Sequence, residues 1–256
     1  MKKSYVILLS FFAALICLGL FSREASATTI PIPDINLQIG TGAAEEPEQL
    51  VTTLQLLLLL SMLSLAPAFV TLMTSFTRII IVLGFARNAL ATQQIPPNQV
   101  VAGMALFLTF FVMMPVAIQI NNDALTPFLA SEITFEEAID LGGRPLREFM
   151  LNNTRPKDLA LFIEMADEDL PESREDVPFY ALIPAFVLSE LKTAFQMGFL
   201  IFIPFLVIDM LVASILMSMG MFMLPPVIVS LPFKILLFIL VDGWYLVVQS
   251  LVESFV

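Results

Sequence analysis

The chain has 256 residues, of which 58% are hydrophobic and only 14% charged, and its formal net charge is -11. Soluble domains carry about a quarter charged residues, so this composition is that of a membrane protein, built at this length as one compact unit. The acid excess excludes nucleic acid as a partner, because phosphate recognition rests on Lys and Arg.

Lys2 and Lys3 precede an apolar stretch over 5–21, and Ala25 and Ala27 frame an A-x-A site. This order predicts a secretory signal peptide over 1–27, cleaved after Ala27. Cleavage removes Cys17, the only cysteine, and the chain has no histidine. Thiolate nucleophiles, His bases and most zinc or iron sites are thereby excluded. No catalytic residue, metal or cofactor is expected, and the chain reads as a non-enzyme.

Residues 28–49 carry prolines, glycines and acids without apolar periodicity, which predicts an extended lead on the outer side. From 50 to 73 the chain is uncharged and long enough to cross about 30 Å of hydrocarbon, with a kink expected at Pro67. Arg78 and Arg87 follow, then a polar double-proline turn over 88–99. The next span is expected over 100–120, giving a first hydrophobic hairpin over 50–120.

Residues 121–187 change character, with fourteen acids and five bases. Thr134 and Glu137 have the spacing of a capping box, with Gly142 and Gly143 expected to end the helix it opens, and Pro156 predicts a second helix start. A small polar helical domain is expected here. A second hydrophobic hairpin covers 188–256, broken by Pro225 and Pro226. With a cleaved signal, hydropathy places 28–49 and 121–187 outside and both double-proline turns on the cytoplasmic side.

Several charges fall within apolar runs. Glu190 and Lys192 flank Leu191 and cannot share a helix face, so different neighbours are expected for them. Asp209, Lys234 and Asp242 lie deeper, where a lone charge costs roughly 2.5–3.5 kcal/mol. Asp209 is eight residues before Met217, and Lys234 is eight after Pro226. If 217–226 is a hairpin tip, both sit about two turns from it and pair at similar depth. A structural ion pair is the simplest reading and a proton relay another. An intramembrane aspartyl protease using Asp209 and Asp242 lacks the flanking residues that such enzymes need.

"MSMGMFMLPP", 217–226, holds Met217, Met219, Met221 and Met223 beside Gly220 and the proline pair. Three readings stand open: gap-filling by flexible thioethers, Cu(I) ligation without supporting Cys or His, or the apolar constriction of a pore. A straight helix cannot gather all four methionines on one side, whereas a loop bent at Gly220, Pro225 and Pro226 can.

"PAFVLSELKTAFQMGF" at 184–199 and "PPVIVSLPFKILLF" at 225–238 resemble the two signature segments of the FliP family of flagellar type III export-gate proteins. "TRIIIVLGFARNALATQQIPPNQV" at 77–100 is similar to that family too, and the likeness runs from about Gln49 onward. The resemblance implies an all-α, non-enzymatic inner-membrane subunit of the flagellar basal body that conducts unfolded flagellar substrates. It implies a conical ring of five copies completed by R-type and Q-type subunits and projecting to the periplasmic side, together with other export components. It implies a pore gasket at Met217, Met219, Met221 and Met223, and an assembly role for the Asp209–Lys234 pair. It also implies that hydrophobic segments are buried by neighbouring subunits, against the hydropathy topology. A small-ion or Cu(I) transporter and a structural scaffold of a secretion complex are the alternatives.

Overall fold

A computed structural model describes residues 47–92, 95–166 and 173–255. The expected signal peptide with Ala25 and Ala27 lies outside the described residues, as does the lead up to residue 46. The chain divides into Met1–Leu54 and Gln55–Val256, and the architecture below is that of the second unit.

The helices are α1 (Pro47–Leu72), α2 (Phe76–Ala89), α3 (Asn98–Ile120), α4 (Thr126–Leu129), α5 (Phe135–Asn153), α6 (Pro156–Met165), α7 (Phe179–Ser218), α8 (Pro226–Leu240) and α9 (Gly243–Glu253). A π-turn at Asn121–Leu125 fuses α3 to α4, and a 3-10 turn at Arg174–Asp176 precedes α7. No strand occurs among the described residues, so the fold is all-α. Asn98–Leu129 and Phe179–Ser218 are long and apolar enough to cross a membrane, and Pro226–Leu240 with Gly243–Glu253 would count as a third span bent by 61°. The α1 helix supplies a shorter apolar stretch, Leu56–Phe69.

Sequence expectation and structure differ at several helix boundaries. The α3 run does not stop at Ile120 but continues through the π-turn to Leu129. Gly142 and Gly143 do not end a helix, because α5 runs through both to Asn153. A Cβ at Gly142 would meet Ala124 and Ile120, and one at Gly143 the Phe179 ring, so both glycines lie where α5 faces its neighbours; a helical glycine costs only roughly 1 kcal/mol, which tertiary packing overrides. The last apolar run is broken, because Asp242 takes a left-handed conformation (φ +51°) that stops α8 and starts α9.

The α7 helix is the shared spine, 40 residues and so about 60 Å long. Its first third packs Leu182 and Phe186 against Met150, Leu151 and Val177 of the polar region. Its middle sets Ala194 against Ile79, Val82, Leu83 and Ala86 of α2, joined by Val101 and Ala105 of α3 and by Val247 and Leu251 of α9. Farther on, Phe205 meets Ala89, Leu90 and Phe238. At Ser189 the hydroxyl donates to Asp158 Oδ2 (2.6 Å) and accepts from the Arg155 backbone N–H (3.1 Å), tying α6 to the spine.

The α2 and α7 helices pack tightly at Gly198, where a Cβ would stand 2.5 Å from Cγ and Cδ2 of Phe85. Those atoms sit at the root of a ring held edge-on by Phe195 and Phe202, so they cannot swing aside. Gly198→Ala should therefore force the helices apart at about 1–3 kcal/mol, read as a thermal midpoint several degrees lower in detergent, and an unchanged midpoint would contradict this packing.

The capping box opens α5 as its spacing predicted. Glu137 Oε2 accepts from the Thr134 backbone N–H (2.8 Å) and hydroxyl (3.0 Å), and the Thr134 hydroxyl accepts from the Glu137 N–H (3.3 Å). The backbone N–H bond, then the hydroxyl bond, hold the Glu137 pKa below its ordinary value. A depressed carboxylate stabilises the folded cap above its unfolded pKa and loses that contribution as pH falls through the folded value. The protection of the amides at the start of α5, measured against their intrinsic exchange rates, should fall across that acid window in the natural chain and show no such step in Glu137→Gln.

Candidate functional site

The turn between α7 and α8 is built by its break residues. Met219 caps α7, the Gly220 N–H bonds to Met217 O (3.0 Å), and the Met221 N–H reaches back to Leu216 O (3.0 Å). These are the two bonds of a Schellman ending, whose left-handed position falls at Gly220 (φ +74°). Glycine takes that conformation without the Cβ clash that other residues suffer. Pro225 is the N-cap of α8 and Pro226 its first residue, where a missing N–H costs no helical bond. The chain therefore leaves the helix at Gly220 and re-enters it at Pro226.

Met217 lies in the last turn of α7, and Met219, Met221 and Met223 lie in the loop. All four are exposed, Met223 at 97% and Phe222 beside it at 78%. None of the four belongs to a buried core cluster of the single chain, although Met221 is more than half covered, at 42% exposed.

Below the tip, Asp209 and Lys234 meet, as depth counting from the two helix ends predicted. Lys234 Nζ donates to Asp209 Oδ2 at 2.7 Å, with the lysine side chain 4% and the aspartate 25% exposed. Ser230, one turn before Lys234 on α8, donates to the other oxygen, Oδ1, at 2.5 Å. Lys234 and Ser230 thus grip one carboxylate from a single helix face. Ser230 was missed from sequence, although its i, i+4 spacing to Lys234 is the signal.

A second pair joins residues that sequence reasoning left apart. The Arg78 guanidinium clamps both oxygens of Glu190, with Nε to Oε2 at 2.9 Å and Nη2 to Oε1. Its Nη1 donates to the backbone oxygen and the hydroxyl of Ser254 (2.9 Å each), and Nη2 also reaches Asn153 Oδ1 (3.2 Å). The Phe255 ring stacks 3.8 Å from the guanidinium carbon. Glu190 is fully buried and Arg78 only 3% exposed.

The expectation of buried charge at Lys192 and Asp242 does not hold in the single chain. Lys192 points outward, because two residues beyond Glu190 the helix has turned about 200° away from the core. Asp242 is exposed at the α8–α9 break, beside a cavity of about 370 Å³ that Leu90, Phe238 and Trp244 also line. Asp209 and Asp242 do not form a dyad, because the Asp209 carboxylate is taken by Lys234 and Ser230.

Removing one charge of a buried pair strands the other, at about 3–5 kcal/mol, whereas removing both costs less. Arg78→Ala and Glu190→Ala should each lower unfolding stability by that order, and the double variant should lose clearly less than their sum. The same cycle on Asp209 and Lys234 should couple more weakly, since the aspartate is partly exposed. Strict additivity of unfolding free energies in either cycle would show that the pair does not act as one unit.

The sequence pattern of the FliP family matches residues 59–251. The flagellar biosynthetic protein FliP of Bacillus subtilis is 58% identical over 221 residues, covering 86% of this chain and 100% of the relative. That of Pectobacterium carotovorum is 56% identical over 203 residues, 79% of each chain. That of Caulobacter vibrioides is 46% identical over 248 residues, 97% of this chain and 90% of the relative.

Proposed function

The chain belongs to the FliP family, and on that premise we propose that it is a pore-forming subunit of a flagellar protein-export gate. It works without chemistry of its own, in the inner membrane with much of its mass on the periplasmic side. Several copies close a ring, joined by R-type and Q-type subunits and other export components, and the ring conducts unfolded flagellar substrates.

The observation that carries this reading is the exposed methionine tip. Met217, Met219, Met221 and Met223 are offered outward from a turn fixed by Gly220 and Pro226, on a hairpin clamped by Asp209, Lys234 and Ser230. A ring of such tips makes a narrow apolar throat that excludes ions by dewetting. Thioether side chains are unbranched and change rotamer easily, so the throat yields to a passing polypeptide of any sequence and closes behind it. A Cu(I) site would call for Cys or His beside the thioethers, and the chain has no histidine and a single cysteine, Cys17.

Two measurements on the assembled gate test this reading. Replacing the four methionines by alanine should leave assembly intact and raise ion conductance in lipid bilayers, because the seal widens; unchanged conductance would contradict it. A photo-reactive residue placed at 221 or 223 should cross-link to a stalled export substrate. Substrate cross-links elsewhere in the gate, with none at these positions, would refute the gasket.

A further inference from the structure

Residues 121–187 hold fourteen acids and five bases, yet three of those bases converge on one cavity. Arg144, Arg147, Glu148 and Leu151 share one face of α5, and Arg174 of the 3-10 turn closes the cavity, which measures about 290 Å³. Arg174 Nη2 donates to Asn152 Oδ1 (3.2 Å), which fixes the turn to α5. Arg147 lies over the Phe179 ring at 4.5 Å, and its Nε is buried with no hydrogen-bond partner. Arg144 has only an exposed pair with Asp140, one turn back. Three guanidiniums meet two carboxylates, Glu148 in the lining and Asp140 on Arg144, and the donor surplus, with Arg147 Nε unpartnered, suits an added carboxylate or phosphate.

A protein carboxylate is favoured over a lipid phosphate because the chain itself supplies carboxylates in the same polar region, where acids outnumber bases fourteen to five.

The α5 helix also carries the complementary charge. Glu136, Asp140, Arg144 and Arg147 follow one side of the helix, running from acid to base over about 17 Å. Glu132 and Glu136 are exposed, and among the described residues their side chains make no ion pair or hydrogen bond. Phe135 and Ile139 stand beside them, 65% and 59% exposed. A surface with a donor pocket at one end and an acceptor edge at the other is complementary to a second copy placed head to tail, and such contacts close into a ring when the rotation between copies closes.

We propose that the Arg144–Arg147–Arg174 pocket is the receiving half of a contact between copies of this chain, filled by the carboxylates of Glu132 and Glu136 of a second copy. This rests on the multi-copy gate proposed above. The experiment is charge reversal in the full-length chain, scored by native mass of the detergent-purified complex. Arg147→Glu with Arg174→Glu, and separately Glu132→Lys with Glu136→Lys, should each cut the multi-copy fraction about tenfold. The acid-edge variant is the safer of the two, since those side chains hold nothing in their own subunit. Combining all four reversals should restore assembly, because each altered pocket then meets an altered edge. Undiminished assembly in either pair of reversals, or no recovery in the fourfold variant, would overturn the contact while leaving the gate reading intact. A natural chain that runs as a monomer would instead sink the gate reading itself. Reversals that abolish binding to phosphatidylglycerol vesicles without touching assembly would assign the pocket to phosphate and also overturn the proposal.

Discussion

A buried guanidinium has five N–H groups to satisfy, and Arg78 satisfies all of its own by drawing four parts of the chain to one point. Both Glu190 oxygens, the Ser254 oxygens and Asn153 receive those protons, and Phe255 covers the flat face. The donors come from α2 and the acceptors from α7, from the end of α5 and from the C-terminal turn. Apolar side chains tolerate sliding along a helix axis. A fork bonded to both oxygens of a carboxylate does not. The clamp therefore fixes the axial register of α2 on α7, and the packing of Val82, Leu83 and Ala86 is arranged around that register.

The neighbouring residue extends the constraint. Ser189 holds α6 through Asp158 and the Arg155 backbone, while Glu190 holds α2. One dipeptide thus anchors the polar helices and the apolar helices to the same spine. Nineteen residues on, Asp209 anchors α8 to that spine, and the methionine tip lies just beyond. The polar bonds are few and specific, whereas much of the apolar surface is left outward, including Phe107, Phe110 and Phe111 of α3. Such a surface suits lipid or neighbouring subunits, and not water.

What could be read from the residues follows from the range of the forces involved. The capping box, the proline starts of α6 and α8, and the break at Gly220 are local, set by backbone chemistry within a few residues. The Asp209–Lys234 pair is not local. It was still legible, because a hairpin ties depth to residue count from its tip. Arg78 had no such ruler: its partner is 112 residues away, and it stood at the end of an uncharged run where a boundary arginine is expected. Asp242 misled for the opposite reason. Its apolar neighbours suggested depth, whereas Asp-Gly is a turn signal that stops the helix and turns the carboxylate outward. Gly142 and Gly143 misled because helix propensity is a weak prior beside tertiary contact.

The continuity of α7 has a mechanical consequence. The helix is unbroken through Pro184 and Pro204, and it is gripped at Ser189 and Glu190 far from its tip. Some thirty residues separate that grip from the loop, an arm of about 45 Å. A rod so held works as a lever. Tilting it by about 10° at the grip, with α8 carried along through Asp209 and the α2 contacts at Gly198 and Phe205 shifting with it, displaces the methionine tip by roughly 8 Å, more than one helical turn. Angular play in the polar region is thereby magnified at the methionine loop, and the packing of α2 along the arm, together with the Arg78 clamp, sets how far the tip can stray.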